Sequence, residues 1–308
     1  MFTVIGSVNM DLTLEVGRFP QPGETVPGRN FRSAHGGKGA NQAYAVAKMG
    51  LPVAMIGAVG ADTFGGEMVA GLAEVGVDTS RILRRETEAS GTALITVDGA
   101  GQNQIVVAAG ANETLTPADI EAALGDLRDC RALLLQLEVP LDAVRKAIEL
   151  GHAAGVPVFL NTAPCLPLPD VVLNRCTWII ANEQEAAMLV RQTVTSPAEA
   201  AFAATALRQR LPHPGLVITL GAGGAWIDCP SFTGHLPGFQ VDTVDTVGAG
   251  DAWIGAFATE LLEGKSVIAA ARFAHLAAAI AVTRRGAQTS IPDRAEVEAD
   301  PRVAAVSE

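Results

Sequence analysis

The four cysteines of this 308-residue chain, Cys130, Cys165, Cys176 and Cys229, form no CxxC pair and have no histidine beside them. That spacing offers neither a zinc site nor a disulfide framework, and fits thiols kept reduced in the cytoplasm. Positive charge is also short: 22 Lys and Arg stand against 33 Asp and Glu, a formal net charge of -11. A nucleic-acid backbone is gripped chiefly by Lys and Arg, so nucleic acid is not expected as a partner, whereas a small anion held locally remains open. MFTVIGSVNMD has no basic residue ahead of its apolar ones, and no apolar run reaches the roughly 18 residues of a membrane span. A soluble cytoplasmic protein without a membrane partner is expected. GxSxG and HExxH do not occur. EGKS at 263–266 has Thr259 where a P-loop needs its first glycine and lies between apparent helices, so it reads as a surface turn. Gly248 and Gly250 begin a GxG, but Trp253 stands where a dinucleotide fold needs its third glycine.

What is present is a regular alternation of short apolar runs and helical patterns, without internal repeat or long linker. FTVIGSV predicts a buried strand. In LTLEV, Leu12, Leu14 and Val16 alternate with Thr13 and Glu15, the period-two pattern of a sheet with one exposed face. FPQPGET separates it from a further strand over 26–33, and SGTALITVD and QNQIVVAAG flank DGAG, a hairpin signal. Half-buried strands do not suit the interior of a doubly wound sheet. They predict a small β-sheet lid, inserted at about 11–35 and 88–110 into a single domain over 1–308. Elsewhere KGANQAYAVAKMG reads as a helix ending at Gly50 with Pro52 beyond, followed by VAMIGAVG as strand and FGGEMVAGLAEVG as helix. RALLLQLE is read as strand, LDAVRKAIELGHAAG as helix, and PVFLN, TWIIAN and GLVITLG as strands with helices between. Thr116 and Pro117 open a helix over ADIEAALGDL as cap and first turn. The fold class is α/β: a doubly wound, mostly parallel sheet flanked by helices, with ligands at the carboxyl ends of its strands.

Three polar constellations fall at such ends. In DTVGAGDAWIGAF, Gly248, Ala249 and Gly250 precede Asp251 and an apolar helix expected to begin near Gly250. Small residues leave the first helical amides open, a concavity for a phosphoryl group, with a carboxylate beside it that could take a proton from a hydroxyl. The same residues would also serve simply as a helix cap. HGGKGANQA sets glycines around Lys38 and ends on Asn41, while SVNMD puts Asn9 and Asp11 on one side of an extended segment; together they suit a polyol, and each alone suits a turn. ANEQEA follows an apolar strand and places Asn182 and Glu185 in the first turn of a helix, fit either for capping or for helping to hold a hydrated divalent cation.

GSVNMD, PGETV, GGKGANQA, QLE, NTAP, NEQEA, ITLGAGG, VDTVGAGD and RFAHLAAAIAVTRRGAQTSIP occur in that order over Val4 to Pro292. On these motifs the chain resembles the ribokinases of the PfkB family of carbohydrate kinases. The resemblance implies ATP-dependent phosphorylation of D-ribose at its 5-hydroxyl on a ribokinase-like fold; related kinases for deoxyribose, a nucleoside or another sugar are the alternative, with a non-catalytic sensor behind them. By the resemblance Asp251 is the base, and Gly248, Ala249 and Gly250 form the anion hole. Asn9, Met10, Asp11, Gly37, Lys38, Gly39, Ala40, Asn41 and Glu138 then match sugar-binding positions. Asn182, Glu185, Thr219, Leu220, Gly221, Ala222, Gly223, Gly224, Gly250 and His275 match positions around ATP and Mg²⁺. Asp245, Val247, Ala281, Arg284, Gly286 and Ser290 match a K⁺ site, and a homodimer through the lid is implied. His275 departs from the Asn often found there, and Ala252 and Trp253 replace the usual Thr and Phe, Trp253 being read as packing.

Overall fold

The computed structural model describes residues 1–125 and 127–306. The first strands, β1 (Phe2–Ile5), β2 (Asn9–Val16) and β3 (Gly28–Gly36), lead into α1 (Lys38–Lys48). Next come β4 (Val53–Gly60), α2 (Thr63–Glu74), β5 (Val77–Asp78), β6 (Ile82–Arg85), β7 (Gly91–Val97) and β8 (Asn103–Ala108). The alternation resumes with α3 (Pro117–Leu124), β9 (Ala132–Leu135), α4 (Leu141–Ala153), β10 (Val158–Asn161), α5 (Asp170–Leu173) and β11 (Trp178–Asn182). It continues through α6 (Glu183–Val190), α7 (Pro197–Arg210), β12 (Gly215–Thr219), β13 (Ala225–Cys229) and β14 (Phe232–Leu236). Three helices close the chain: α8 (Ala249–Leu262), α9 (Val267–Ala281) and α10 (Arg294–Ala299).

Ten strands form one sheet in the order β14-β13-β12-β11-β10-β9-β1-β4-β5, with β6 also on β4. All its pairings are parallel except β12–β13 and β13–β14. The alternation of side chains along a strand sorts the core onto two faces. In β9, Ala132 and Leu134 join the cluster under α1, α8 and α9, while Leu133 and Leu135 join the one under α3 and α4. Trp253 belongs to the first cluster, stacked on Phe257 at 4.7 Å between ring centroids, which meets Trp178 edge-on at 5.2 Å. Its expected packing role is what the structure shows.

The remaining four strands make a separate sheet, β3-β2-β7-β8, with β2 and β7 parallel and the outer pairs antiparallel. In the DGAG turn, Asp98 Oδ1 accepts from the amides of Ala100 and Gln102 at 2.9 and 3.0 Å. The strands were expected to be half-buried. That holds for β2 and β7, but every residue of β8 and nearly all of β3, the two edge strands of the sheet, are exposed among the described residues.

Other boundaries differ by local chemistry. FTVIGSV gives a strand only to Ile5, and its Gly6 and Ser7 turn toward the site. ADIEAALGDL is helical only to Leu124, where Gly125 takes φ 50°; Asp126 of that stretch lies outside the described residues, as do Ser307 and Glu308 of the 1–308 span. EGKS is the turn expected, with Ser266 capping α9. The β13–β14 hairpin had no counterpart among the sequence expectations.

One packing contact positions the chemistry. Helices α1 and α8 cross where Gly255 faces Ala45, and a Cβ on Gly255 would lie 2.5 Å from the Ala45 methyl and 3.2 Å from the Val46 amide nitrogen. Only a hydrogen at that position lets the helices approach so closely. The first turns of both helices consequently meet at the carboxyl ends of β9 and β10.

Candidate active site

The site is built outward from the start of α8. Gly248 takes φ 77°, a left-handed conformation that favours glycine, and a Cβ there would stand 2.9 Å from Ala287 Cα. The chain then enters the helix at Ala249, one residue earlier than expected, with no side-chain cap. The Ala249 amide makes only a 3.3 Å turn bond to Thr246, and the Ala252 amide starts the helical ladder on Gly248 at 2.8 Å. Amides in this first turn have no intrahelical acceptor, so those of Gly250 and Asp251 sit at the positive end of the helix dipole. Gly250 is exposed, with open space beside its Cα.

Asp251 is buried against α1. Its Oδ2 accepts from Asn41 Nδ2 at 3.0 Å and its Oδ1 from Gln42 Nε2 at 2.9 Å. Burial lifts its pKa above the usual carboxylate range, Lys38, Asn41 and Gln42 pull the other way, and Glu138 adds to the rise. Lys38, Asn41 and Gln42 thus favour the ionised form, the one a base needs, against the effect of burial.

The expected sugar residues gather beside it. Lys38 is surrounded by Asp251, Glu138 and Glu185, whose charges outweigh the effect of burial and raise its pKa. Glu138 Oε2 accepts from Ser7 Oγ at 2.5 Å and from the Lys38 amide at 3.2 Å. The Gly39 and Ala40 amides bond Ser7, and Gly37 ends β3's connection as the residue before α1. Met10 is buried beneath β2, and Asn9 and Asp11 lie on its other side. Asn112 fixes the root of that strand: its Oδ1 accepts from the Val8 amide at 2.9 Å and its Nδ2 donates to Val8 O and Asn9 Oδ1 at 3.1 and 2.8 Å. Asn9 therefore presents its Nδ2 as donor.

Burial, helped by Glu138 and Asp251, raises the Asp11 carboxyl to about 6. Above that pH the carboxylate can accept hydroxyl hydrogen bonds; below it the group carries a proton. For a polyol substrate, kcat/KM is expected to fall as the pH drops through about 6, and Asp11→Asn to remove that inflection. A profile unchanged by Asp11→Asn would assign the inflection elsewhere.

On the other side of the α8 turn, Asn182 and Glu185 form a capping box. Glu185 N donates to Asn182 Oδ1 at 2.9 Å, Asn182 N to Glu185 Oε2 at 3.0 Å, and Asn182 Nδ2 to Glu185 Oε1 at 2.9 Å. The capping reading of this pair is the one the geometry shows, and each Glu185 carboxylate oxygen keeps a further lone pair. One buried carboxylate suits a cation that retains most of its water, whereas the Lys38 charge nearby opposes a cation and favours an anion. Among the described residues no group of three or more His, Cys, Asp or Glu gathers to hold a metal directly.

Thr219 ends β12, and Leu220, Gly221, Ala222, Gly223 and Gly224 turn into β13, pinned by His235 to Gly223 O at 2.7 Å and Gln240 to Ala222 O at 3.1 Å. His275 on α9 is buried beside Trp253, ring centroids 5.8 Å apart, and neither ring nitrogen has a hydrogen-bond partner. Burial, with the His235 charge, lowers its pKa to about 4. The unfolded chain would take a proton near 6.5, so the stability tied to the neutral ring is whole above that pH and lost as the pH falls toward 4, about 3 kcal/mol. Chemical denaturation of His275→Asn is expected to show a flatter acid limb across this window.

Beneath Gly248, Asp245 ties two loops together, its Oδ1 accepting from Val247 N at 3.1 Å and its Oδ2 from Gly286 N at 3.0 Å. Ser290 Oγ bonds Ala287 O at 2.8 Å, the Arg284 amide bonds Ala281 O at 3.0 Å, and the Arg284 guanidinium pairs with Glu296. The oxygens of this junction, the Asp245 carboxylate and the Ala281 and Ala287 carbonyls, each accept at least one hydrogen bond from within the chain.

Five polar residues at the site were not singled out from sequence: Ser7, Gln42, Asn112, Gln136 and Asn161. A lone amide closing an apolar strand, as in LLLQ and VFLN, was the available signal.

The pfkB family carbohydrate kinase model matches residues 1–294. A ribokinase of Haemophilus influenzae is 40% identical over 294 residues, covering 96% of each chain. A deoxyribokinase of Salmonella typhi is 38% identical over 290 residues, covering 94% of each. The structure of Arabidopsis thaliana ribokinase complexed with ribose and ATP aligns at a TM-score of 0.88 with 30% identity, covering 96% of both chains.

Proposed function

The chain belongs to the pfkB family of carbohydrate kinases, and on that premise we propose that it transfers the γ-phosphoryl group of ATP to the 5-hydroxyl of D-ribose. The observation that carries the mechanism is Asp251, a carboxyl group buried between two amide donors and adjoining the open amides of α8. In the proposed step Asp251 takes the hydroxyl proton as the oxygen attacks the γ-phosphorus, and ADP departs. Amides of the 248–251 turn meet the charge that spreads over the transferred group, so the protein contributes position and electrostatics rather than a covalent intermediate.

Asn9, Asp11, Lys38, Asn41 and Glu138 would hold the sugar hydroxyls. Asn182, the 219–224 turn and His275 would border the nucleotide. Bound Mg²⁺ would neutralise phosphate charge, with Glu185 and Asn182 holding its water shell; bound K⁺ at the Asp245 junction would order the loops under the anion hole. We assign the small sheet as a lid over the sugar. Its exposed Phe31, Leu94, Ile105, Val106 and Val107 support pairing with a second copy, and the unpaired cysteines fit a cytoplasmic setting.

Ribose is favoured over deoxyribose by Asn9, whose amide, oriented by Asn112, offers a donor to a hydroxyl. Coupled ADP release with ribose, deoxyribose, hexoses and nucleosides, with and without K⁺, tests the proposal. Faster turnover of deoxyribose or a nucleoside would reassign the acceptor. Binding without turnover of any of them, equal for the wild type and Asp251→Asn, would make the protein a sensor.

A further inference from the structure

Behind the base lies a chain of buried amides. Gln42 is 0% exposed, as is Gln136, and Asn161 is 6% exposed. Asn161 Nδ2 donates to the backbone carbonyl of Ile180 at 3.2 Å. A carbonyl can only accept, so Asn161 must turn its Oδ1 toward Gln42. Gln42 Nε2 meets that oxygen at 3.2 Å and Asp251 Oδ1 at 2.9 Å, two acceptors that require both its protons. Its Oε1 is then left facing Gln136 Nε2, which donates at 2.6 Å. Every amide in the chain is thereby oriented from one fixed point in β11. Gly6 leaves the room for Gln136, since a Cβ there would collide with Gln136 Oε1.

We infer that Gln42 is a positioning residue for the phosphoryl-transfer base, its donor end locked onto Asp251 Oδ1 by Gln136 and Asn161. The inference rests on Asp251 being the base. A buried amide could merely fill space, but a filler has no reason to spend both its protons on oxygens, one of them the carboxylate. With Gln42 on Oδ1 and Asn41 on Oδ2, the carboxylate is fixed in rotation and its ionised form is favoured against the cost of burial. The charged groups facing it are Lys38 from α1, Glu138 beyond β9, Glu185 from α6 and Asp11 from β2. None of them substitutes for a neutral donor on Oδ1.

The test is the pH dependence of kcat at saturating sugar and ATP. Gln42→Met is expected to lower kcat about tenfold at neutral pH and to move the acid limb upward by about one pH unit, with the KM for ATP unchanged. Gln42→Glu keeps the acceptor for Gln136 but sets a second carboxyl on Asp251, and should move the limb further up. Gln136→Met should shift it less in the same direction, and the double variant Gln42→Met with Gln136→Met should be no worse than Gln42→Met alone, because the two act through one bond. A folded Gln42→Met with the wild-type acid limb would overturn the inference. Should that variant fail to fold, an unmoved limb in Gln136→Met overturns it equally. Asp251→Asn in the same series separates the two levels: if it turns over normally, the base assignment has failed rather than the role of Gln42.

Discussion

Asp251→Asn is expected to lose about 10²-fold or more in turnover while keeping its fold and its ATP binding. The substitution preserves shape and removes the proposed base, the carboxyl group carried in the first turn of α8 itself. It also removes a buried charge that desolvation disfavours, offset by presenting an amide to the Asn41 and Gln42 donors. The thermal midpoint should therefore move by only a few degrees. Single-turnover rates, ATP titration and thermal unfolding on one preparation check the three parts. Turnover within a few-fold of wild type would reduce Asp251 to a structural link between α8 and α1.

Gly255→Val should be the most damaging change remote from the ligands. Its side chain would be driven into Ala45 and the Val46 backbone, where even one added carbon lies at 2.5 Å from the Ala45 methyl. Overpacking of this kind costs about 1–3 kcal/mol, which for a chain of this size lowers the midpoint by roughly 2–5 °C. Because α1 carries Asn41 and Gln42 while α8 carries Asp251, the wedge should also lengthen both hydrogen bonds to the carboxylate. Turnover of the fraction still folded is then expected to fall well below wild type. A loss of stability with undiminished turnover per folded molecule would show that the helix contact supports the fold alone.

Local chemistry is what could be read along the chain. HGGKGANQ and DTVGAGD each compress their polar groups and glycines into a few residues, and Asn182 with Glu185 carries the three-residue spacing of a capping box. The alternation of apolar runs gave the parallel sheet for the same reason: a strand buried on both faces shows it in its own residues. Gln42 was illegible because its partners Gln136 and Asn161 are 94 and 119 positions away. β8 shows another limit. Its apolar QIVV indicates residues that favour cover, while Ile105 and Val106 are left 54% and 66% exposed by the described residues. The β13–β14 hairpin was missed because AWIDC and FTGHL mix polar residues into short edge strands.

The Asn112 amide has a mechanical consequence. It fastens both backbone groups of Val8 to a turn 104 positions along the chain, so β2 leaves the body of the protein from an anchored point. Any rocking of the small sheet must take its pivot just beyond that stitch. In the proposed lid, Asn9 then stays with the frame while Asp11, two residues outboard, swings with the flap, so that the fulcrum runs through the side chains proposed to hold the sugar rather than beside them.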